Sequence, residues 1–151
     1  PIKSSAASDV YKRQRGECTT EELENINNHM YTLLGNKGAY LDDLYYCPHH
    51  PDSGFDGEIK ELKFDCNCRK PKTGMIQQAA KDHNIDVENS WIIGDTTIDI
   101  QTGINAGLNT ALVLTGEAGN DRKYQVNADV CAENLEQCVE LIIEKGKHYE
   151  R

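Results

Sequence analysis

Apolar residues along this chain follow two periods that alternate. Thr19-Thr20-Glu21-Glu22 has the Thr-x-x-Glu form of a capping box, and behind it Leu23, Ile26, Met30, Leu33 and Leu34 recur at helical spacing until Gly35 or Gly38 supplies a stop. Leu44-Tyr45-Tyr46-Cys47 predicts a short strand, and the polar stretch 50–65, with Gly54 and Gly57, predicts a loop. Met75, Ile76, Ala79 and Ala80 share one face of a second helix that Thr73 can cap. Trp91-Ile92-Ile93 is an apolar run ending in Gly94-Asp95, as expected of a buried parallel strand. Thr96 or Thr97 opens a third helix that Gly107 closes; residues 110–114 form another buried strand; a last helix runs over 134–145 with Leu135, Cys138, Leu141 and Ile142 inward. Strand and helix alternate, so the fold class is α/β with a parallel sheet, and no internal repeat or second domain is visible.

Residues 1–14 stand apart. Ser4-Ser5-Ala6-Ala7-Ser8-Asp9-Val10-Tyr11-Lys12-Arg13-Gln14 has no sustained apolar period and no helix stop. It resembles translated adapter sequence at the ends of metagenomic contigs, and it is set outside the fold as a non-native or disordered tail, with the domain expected over 15–151.

Length and charge narrow the picture. The chain of 151 residues fits one domain with a sizeable core. Its formal net charge of −9 repels phosphate backbones and anionic membranes over most of the surface. A local basic patch can still hold a small phosphate. No apolar run approaches the roughly 18–20 residues of a membrane span. Of six cysteines, three fall in one short segment, and Cys18, Cys131 and Cys138 show no disulfide-framework spacing. Reduced thiols, a cytoplasmic location and a monomer are the expectations.

That short segment carries the clearest chemistry. It opens with Cys47-Pro48-His49-His50-Pro51 and closes with Cys66-Asn67-Cys68-Arg69-Lys70-Pro71. Three thiols and an imidazole in two tight pairs make a closed, four-coordinate Cys₃His zinc site, with either His49 or His50 as the fourth ligand. A closed tetrahedron leaves no open position, so the zinc is structural. The second pair runs into Arg69-Lys70, a guanidinium fork and a point charge suited to a phosphate. A solvated basic turn is the plain alternative.

Gly94-Asp95-Thr96-Thr97-Ile98-Asp99 is the second constellation. Asp95 falls at the carboxyl end of a strand, where α/β proteins place their ligands. Asp99 follows one helical turn later. Carboxylates there suit Mg²⁺, and they equally suit capping of the third helix. Trp91 reads as core, His29, His83 and His148 as helix surface, and Asp42-Asp43 as a solvated turn.

Residues 15–119 resemble the haloacid-dehalogenase-superfamily phosphatases, in the group of D-glycero-D-manno-heptose 1,7-bisphosphate phosphatases and histidinol phosphatases. Arg15-Gly16, the two cysteine pairs, Gly74-Met75, Gly94-Asp95 with Asp99, Asn105-Ala106-Gly107 and Thr115-Gly116 carry the likeness. The resemblance implies a Rossmann-like parallel sheet with a structural zinc loop, and a Mg²⁺-dependent phosphomonoesterase acting through an aspartyl-phosphate. It selects Cys47, His49, Cys66 and Cys68 as zinc ligands. It makes Arg69 a substrate-phosphate contact and Lys70 the catalytic lysine that also touches substrate. Asp95 becomes the Mg²⁺ carboxylate and Asp99 its supporting acid. Thr96 becomes a substrate contact at a position where the heptose enzymes commonly carry a lysine. Histidinol phosphatases carry a much shorter loop between the cysteine pairs. The seventeen positions from His49 to Cys66 resemble the heptose enzymes and point to a small phosphorylated sugar as partner.

The family's Asp-x-Asp-Gly-Thr nucleophile segment and its Thr-Asn-Gln-Ser-Gly strand have no counterpart in the sequence. The chain is therefore expected to lack the first two strands of the fold, and a non-catalytic zinc-knuckle module that holds a phosphorylated ligand is the competing function. Without those strands, residues 44–46 and 91–93 are expected to expose unpaired edges. The 151-residue chain should then aggregate on purification and show no phosphatase activity; metal-dependent turnover above background in a direct phosphate-release assay would overturn this.

Overall fold

The computed structural model describes residues 5–9, 13, 15–54 and 56–149. The chain divides into two compact units, Pro1–Arg69 with Gly74–Ile85, and Lys70–Thr73 with Asp86–Arg151.

The first unit begins with β1 (Ser5–Asp9), followed by α1 (Thr20–Gly35), β2 (Asp43–Cys47), a 3₁₀ turn (Lys60–Leu62) and α2 (Gly74–His83). β1 and β2 pair in parallel over five residues, Ser5 opposite Asp43 and Asp9 opposite Cys47. This strand takes up residues 5–9 of the stretch read as a non-native or disordered tail; the undescribed remainder of 1–14 lies outside the described residues. The physical reason is that β2 offers an edge of unpaired amides and carbonyls, and a short proline-free segment can satisfy it. The expectation that β2 would stand unpaired is corrected with it.

The capping box at Thr19 forms as read: the Thr19 hydroxyl accepts the Glu22 N–H at 3.1 Å, and the Glu22 carboxylate accepts the Thr19 N–H at 2.7 Å. Only Leu23 of the α1 apolar face is buried, while Ile26 and Leu33 are 61% and 54% exposed. Asp43 is no solvated turn residue. Its carboxylate accepts from the Tyr45 hydroxyl and meets His83 Nε2, both at 3.0 Å, which ties β2 to the end of α2. Met75 and Ala79 are the buried pair of α2. Met75 packs with Cys47 and Cys66 in the small core of this unit, against Tyr45 and Cys68.

The second unit is a β-α-β-β-α arrangement: β3 (Trp91–Gly94), α3 (Thr97–Ala106), β4 (Asn109–Val113), β5 (Val130–Ala132) and α4 (Leu135–Tyr149). Its sheet has the order β3-β4-β5, all parallel, with Trp91 opposite Asn109 and Ala111 opposite Val130. Ala111, Val113, Val130, Ala132 and Cys138 form its core, with Trp91, Ile93, Leu141 and Ile142 packed on it. β3 is half-buried along its length and sits at the edge of this sheet, so it is not the fully covered strand its apolar run suggests. α4 turns Cys138 fully inward but leaves Leu135 57% exposed, a correction to the inward set read from the period. β5 escaped the sequence reading because three residues between polar neighbours carry no period.

α3 ends on Gly107, whose φ of 75° is the left-handed cap that glycine permits. Midway along α3, Gly103 faces β3 and β4 so closely that an added Cβ would fall inside contact distance of the Ile92 and Thr110 side chains. Asp129 fastens the start of β4: its carboxylate accepts the Thr110 N–H and hydroxyl, each at 2.8 Å, and these bonds hold it below the usual carboxylate range. Gly103→Ala should therefore overpack the helix–sheet contact and cost about 1–3 kcal/mol, measured as a lower urea midpoint without loss of helical signal.

Candidate active site

In the first unit the loop between β2 and α2 folds back so that Cys47, His49, Cys66 and Cys68 present one donor atom each, all within 4.8 Å of one another. The Cys47–Cys66, Cys47–Cys68 and Cys66–Cys68 sulfur pairs stand 3.4, 3.2 and 3.2 Å apart. His49 Nδ1 lies 3.2 Å from Cys68 Sγ and 3.8 Å from Cys47 Sγ. A tetrahedral zinc with Zn–S bonds of about 2.3 Å has S···S edges of about 3.8 Å. The four donors are therefore close to the size and shape that ion requires, and the soft sulfur set suits zinc. Burial raises the Cys47 thiol, and burial likewise lowers His49 and keeps its imidazole neutral, the form that ligates a metal. Burial also opposes ionisation of Cys66, but bonds from Cys68, Cys47 and the Arg69 N–H outweigh it and pull that thiol below its ordinary value.

Of the two histidines left open by spacing, His49 is the one whose ring nitrogen lies among the three sulfurs. His50 Nδ1 accepts the Asp52 N–H at 3.1 Å and is turned to its own loop. The His49 ring packs on Phe64 with centroids 4.3 Å apart. Gly74 closes the knuckle: its N–H donates to the Asn67 carbonyl at 2.9 Å, and a side chain there would meet that same backbone. Arg69 is placed by the knuckle at two points. Its backbone N–H donates to Cys66 Sγ and its guanidinium Nη1 to the His49 carbonyl, each at 3.3 Å.

In the second unit Lys70, Asp95, Thr96 and Asp99 gather at the carboxyl end of β3 and the first turn of α3. Thr96 is the N-cap. Its hydroxyl accepts the Asp99 N–H at 3.2 Å and donates to Asp99 Oδ2 at 2.6 Å, and Asp99 Oδ2 also accepts the Thr96 N–H at 3.2 Å. The Thr96 hydroxyl is thus committed to the cap. Asp99 is 8% exposed, and its other oxygen pairs with Lys70 Nζ at 2.7 Å. Gly94 is required here, since a Cβ would run into the Asp99 side chain. Lys70 is fixed from behind by Asn105, whose amide donates to the Pro71 carbonyl at 2.9 Å.

Asp95 points its Oδ2 at the Glu117 N–H, 2.9 Å away, and its own carbonyl accepts the Gly119 N–H at 2.8 Å. The remaining carboxylate oxygen, Oδ1, is a hard donor of the kind Mg²⁺ takes alongside phosphate and water, so the residue fits that ion. Gly116, with φ of 68°, passes directly over Oδ2, leaving no room for a Cβ. The sequence reading missed Asp121. Its carboxylate accepts the Thr97 N–H at 2.7 Å and the Thr97 hydroxyl at 2.6 Å. No periodic or motif signal marks it; it lies in a polar loop between two strands.

The HAD-hydrolase-like family model matches residues 67–138. A D-glycero-beta-D-manno-heptose-1,7-bisphosphate 7-phosphatase of Yersinia pestis is 39% identical over 104 residues, covering 68% of this chain and 53% of that protein. The enzyme of the same name from Escherichia coli is 36% identical over 120 residues, covering 76% and 61%. The chain thus spans little more than half the length of these curated relatives. A crystal structure of the D,D-heptose 1,7-bisphosphate phosphatase of B. bronchiseptica, complexed with magnesium and phosphate, superposes with a TM-score of 0.78 at 27% identity, covering 95% of this chain and 75% of that one. The α/β fold with a parallel sheet is that of the HAD phosphatases.

Gly116→Ala should displace the Asp95 carboxylate, because both the left-handed backbone and the space above Oδ2 are denied to alanine. The expected loss is about 1–3 kcal/mol in chemical denaturation, with the Glu117 amide resonance shifted to a solvent-bonded position.

Proposed function

Because the chain carries a HAD-like hydrolase domain, we propose that it serves a phosphomonoesterase whose substrate is D-glycero-D-manno-heptose 1,7-bisphosphate. The observation that carries this reading is the Lys70–Asp99 pair beside Asp95: a cation and a hard carboxylate at the strand end where α/β folds bind ligands. Likeness at 36–39% identity to proteins of that named activity supports the substrate.

Lys70 steadies the charge that develops on the transferring phosphoryl group, the role for which a preorganised cation is worth most. Asp99 holds Lys70 in place and shares its charge between that lysine and the helix cap. Arg69 contacts a substrate phosphate through its guanidinium. Asp95 would hold Mg²⁺ through Oδ1, and that ion would supply positive charge for phosphate oxygens. Cys47, His49, Cys66 and Cys68 would hold a structural zinc, with four protein donors to fill its tetrahedron. The attacking carboxylate of the aspartyl-phosphate route is not assigned to any described residue. The long loop between His49 and Cys66 favours a bisphosphate sugar over histidinol phosphate.

The full-length gene product should hydrolyse the heptose bisphosphate in the presence of Mg²⁺ at least about tenfold more efficiently, by kcat/KM, than histidinol phosphate. Lys70→Ala should lower kcat by roughly 10²–10³, and Cys66→Ser should lose zinc by elemental analysis. Equal or better turnover of histidinol phosphate would overturn the substrate, and an unchanged kcat in Lys70→Ala would overturn the role of that lysine.

A further inference from the structure

The loop from Thr115 to Tyr124 is shaped around the turn that bears Asp95. Within it Gly116, Ala118, Gly119 and Arg122 all have positive φ, between 45° and 75°, and two of the four are not glycine. Conformations this costly persist only where surrounding bonds impose them. Here the bonds run to two residues. Glu117 and Gly119 donate their amides to the Asp95 carboxylate and carbonyl. Lys123 and Tyr124 donate theirs to the Thr97 hydroxyl, at 3.1 and 3.2 Å. Between them Asp121 takes the Thr97 N–H and hydroxyl proton.

The Thr97 hydroxyl is therefore a hub with one donor bond and two acceptor bonds, all to this loop. Its proton can go to Asp121 only while Asp121 is an unprotonated acceptor. Burial opposes that charge, but the Thr97 hydroxyl and neighbouring amides hold the carboxyl below its usual range. An anion at the first turn of α3 is also favoured by the helix dipole. The loop thus grips the Asp95–Thr97 turn at both ends, and Asp121 is the charged member of the grip.

We propose that Asp121 is a positioning residue for the Asp95 carboxylate, acting through Thr97 and the 115–124 loop to aim Asp95 Oδ1 at the metal. This deepens the functional reading above and rests on Asp95 being the metal carboxylate. Asparagine at 121 keeps the size of the side chain but presents an amide donor to the Thr97 hydroxyl or forfeits one of the two bonds. The loop then loses its hold at 121–124 and transmits the slack to Glu117 and Gly119.

The test uses Mn²⁺ as a paramagnetic probe on the purified full-length gene product, read as broadening of the Glu117 and Gly119 amide resonances, with thermal melting followed in parallel. The unsubstituted chain should show local broadening that Asp95→Asn abolishes. Asp121→Asn should remain folded and require at least threefold more Mn²⁺ for half-broadening. Thr97→Val should do the same, and the double variant should lose no more than the larger single loss, because the two act as one unit. Asp129→Asn, which loosens β4 and not this turn, should melt lower and bind Mn²⁺ as before. A loss below threefold in Asp121→Asn, a parallel loss in Asp129→Asn, or failure of Asp121→Asn to fold would each overturn the proposal. Absence of Asp95-dependent broadening in the unsubstituted chain would overturn the metal assignment of Asp95 and the proposal with it, which separates the two failures.

Discussion

A carboxylate taken out of water has to be compensated, and Asp99 is compensated on both oxygens. One oxygen takes the Thr96 hydroxyl and amide, and the other takes the Lys70 ammonium. Much of the second unit follows from that single requirement. α3 begins where it does because the cap is Thr96, whose hydroxyl and amide are the groups that Asp99 needs. The residue before Asp95 is glycine because the Asp99 side chain occupies the space a Cβ would take. Lys70 is held away from solvent because its partner is there. Removing one member of such a pair leaves an uncompensated buried charge, at a cost of about 3–5 kcal/mol. The positive group that suits a phosphate is therefore part of the structural balance of the turn before any ligand arrives.

The first unit is governed by a comparable constraint of opposite sign. Three sulfurs crowded to 3.2–3.4 Å are a poor core by themselves, since buried thiols make weak hydrogen bonds and few dispersion contacts. A bound dication would turn the same crowding into ligation, and for a structural zinc the binding free energy is folding free energy. Cys47 and Cys66 are two of the three buried residues of that unit's small cluster, so the four-donor cluster and the core are largely one object. The positions of Arg69 and Gly74 follow from it: the first is bonded to the Cys66 sulfur and the His49 carbonyl, the second packs on the backbone of Asn67 and Cys68.

What could be read from the sequence divides along the same line. The capping box at Thr19, the glycine that ends α3, and the paired cysteines are signals written within four or five residues, and each appears in the structure at its expected place, whereas the start of α3, open in the sequence between Thr96 and Thr97, is fixed at the Thr96 cap only by the structure. β5 is three residues long and owes its existence to β4 beside it; no local pattern can announce a strand stabilised wholly by its neighbour. The same holds for β1, whose pairing is dictated by the open edge of β2 and whose own residues read as a tail. Ile26, Leu33 and Leu135 obey the helical period yet face solvent, because periodicity locates an apolar stripe and not what covers it.

The candidate site shows why chemistry was more legible than its support. Ligands and charged groups come as residue types with few other uses at that spacing, so Cys66-x-Cys68-Arg69-Lys70 and Gly94-Asp95 stand out. The groups that aim them do not. Glu117 and Gly119 act on Asp95 through backbone N–H, which every residue except proline possesses, and Asp121 acts through a loop whose sequence resembles any solvated turn. A supporting shell built from main-chain donors leaves its trace in geometry, as left-handed residues at Ala118 and Arg122 that nothing local requires. On the proposed reading Asp95 is a metal carboxylate, and a ligand that must be reoriented on binding gives back part of the affinity it supplies. The strained loop is on this argument as much a part of the site as the aspartate it holds.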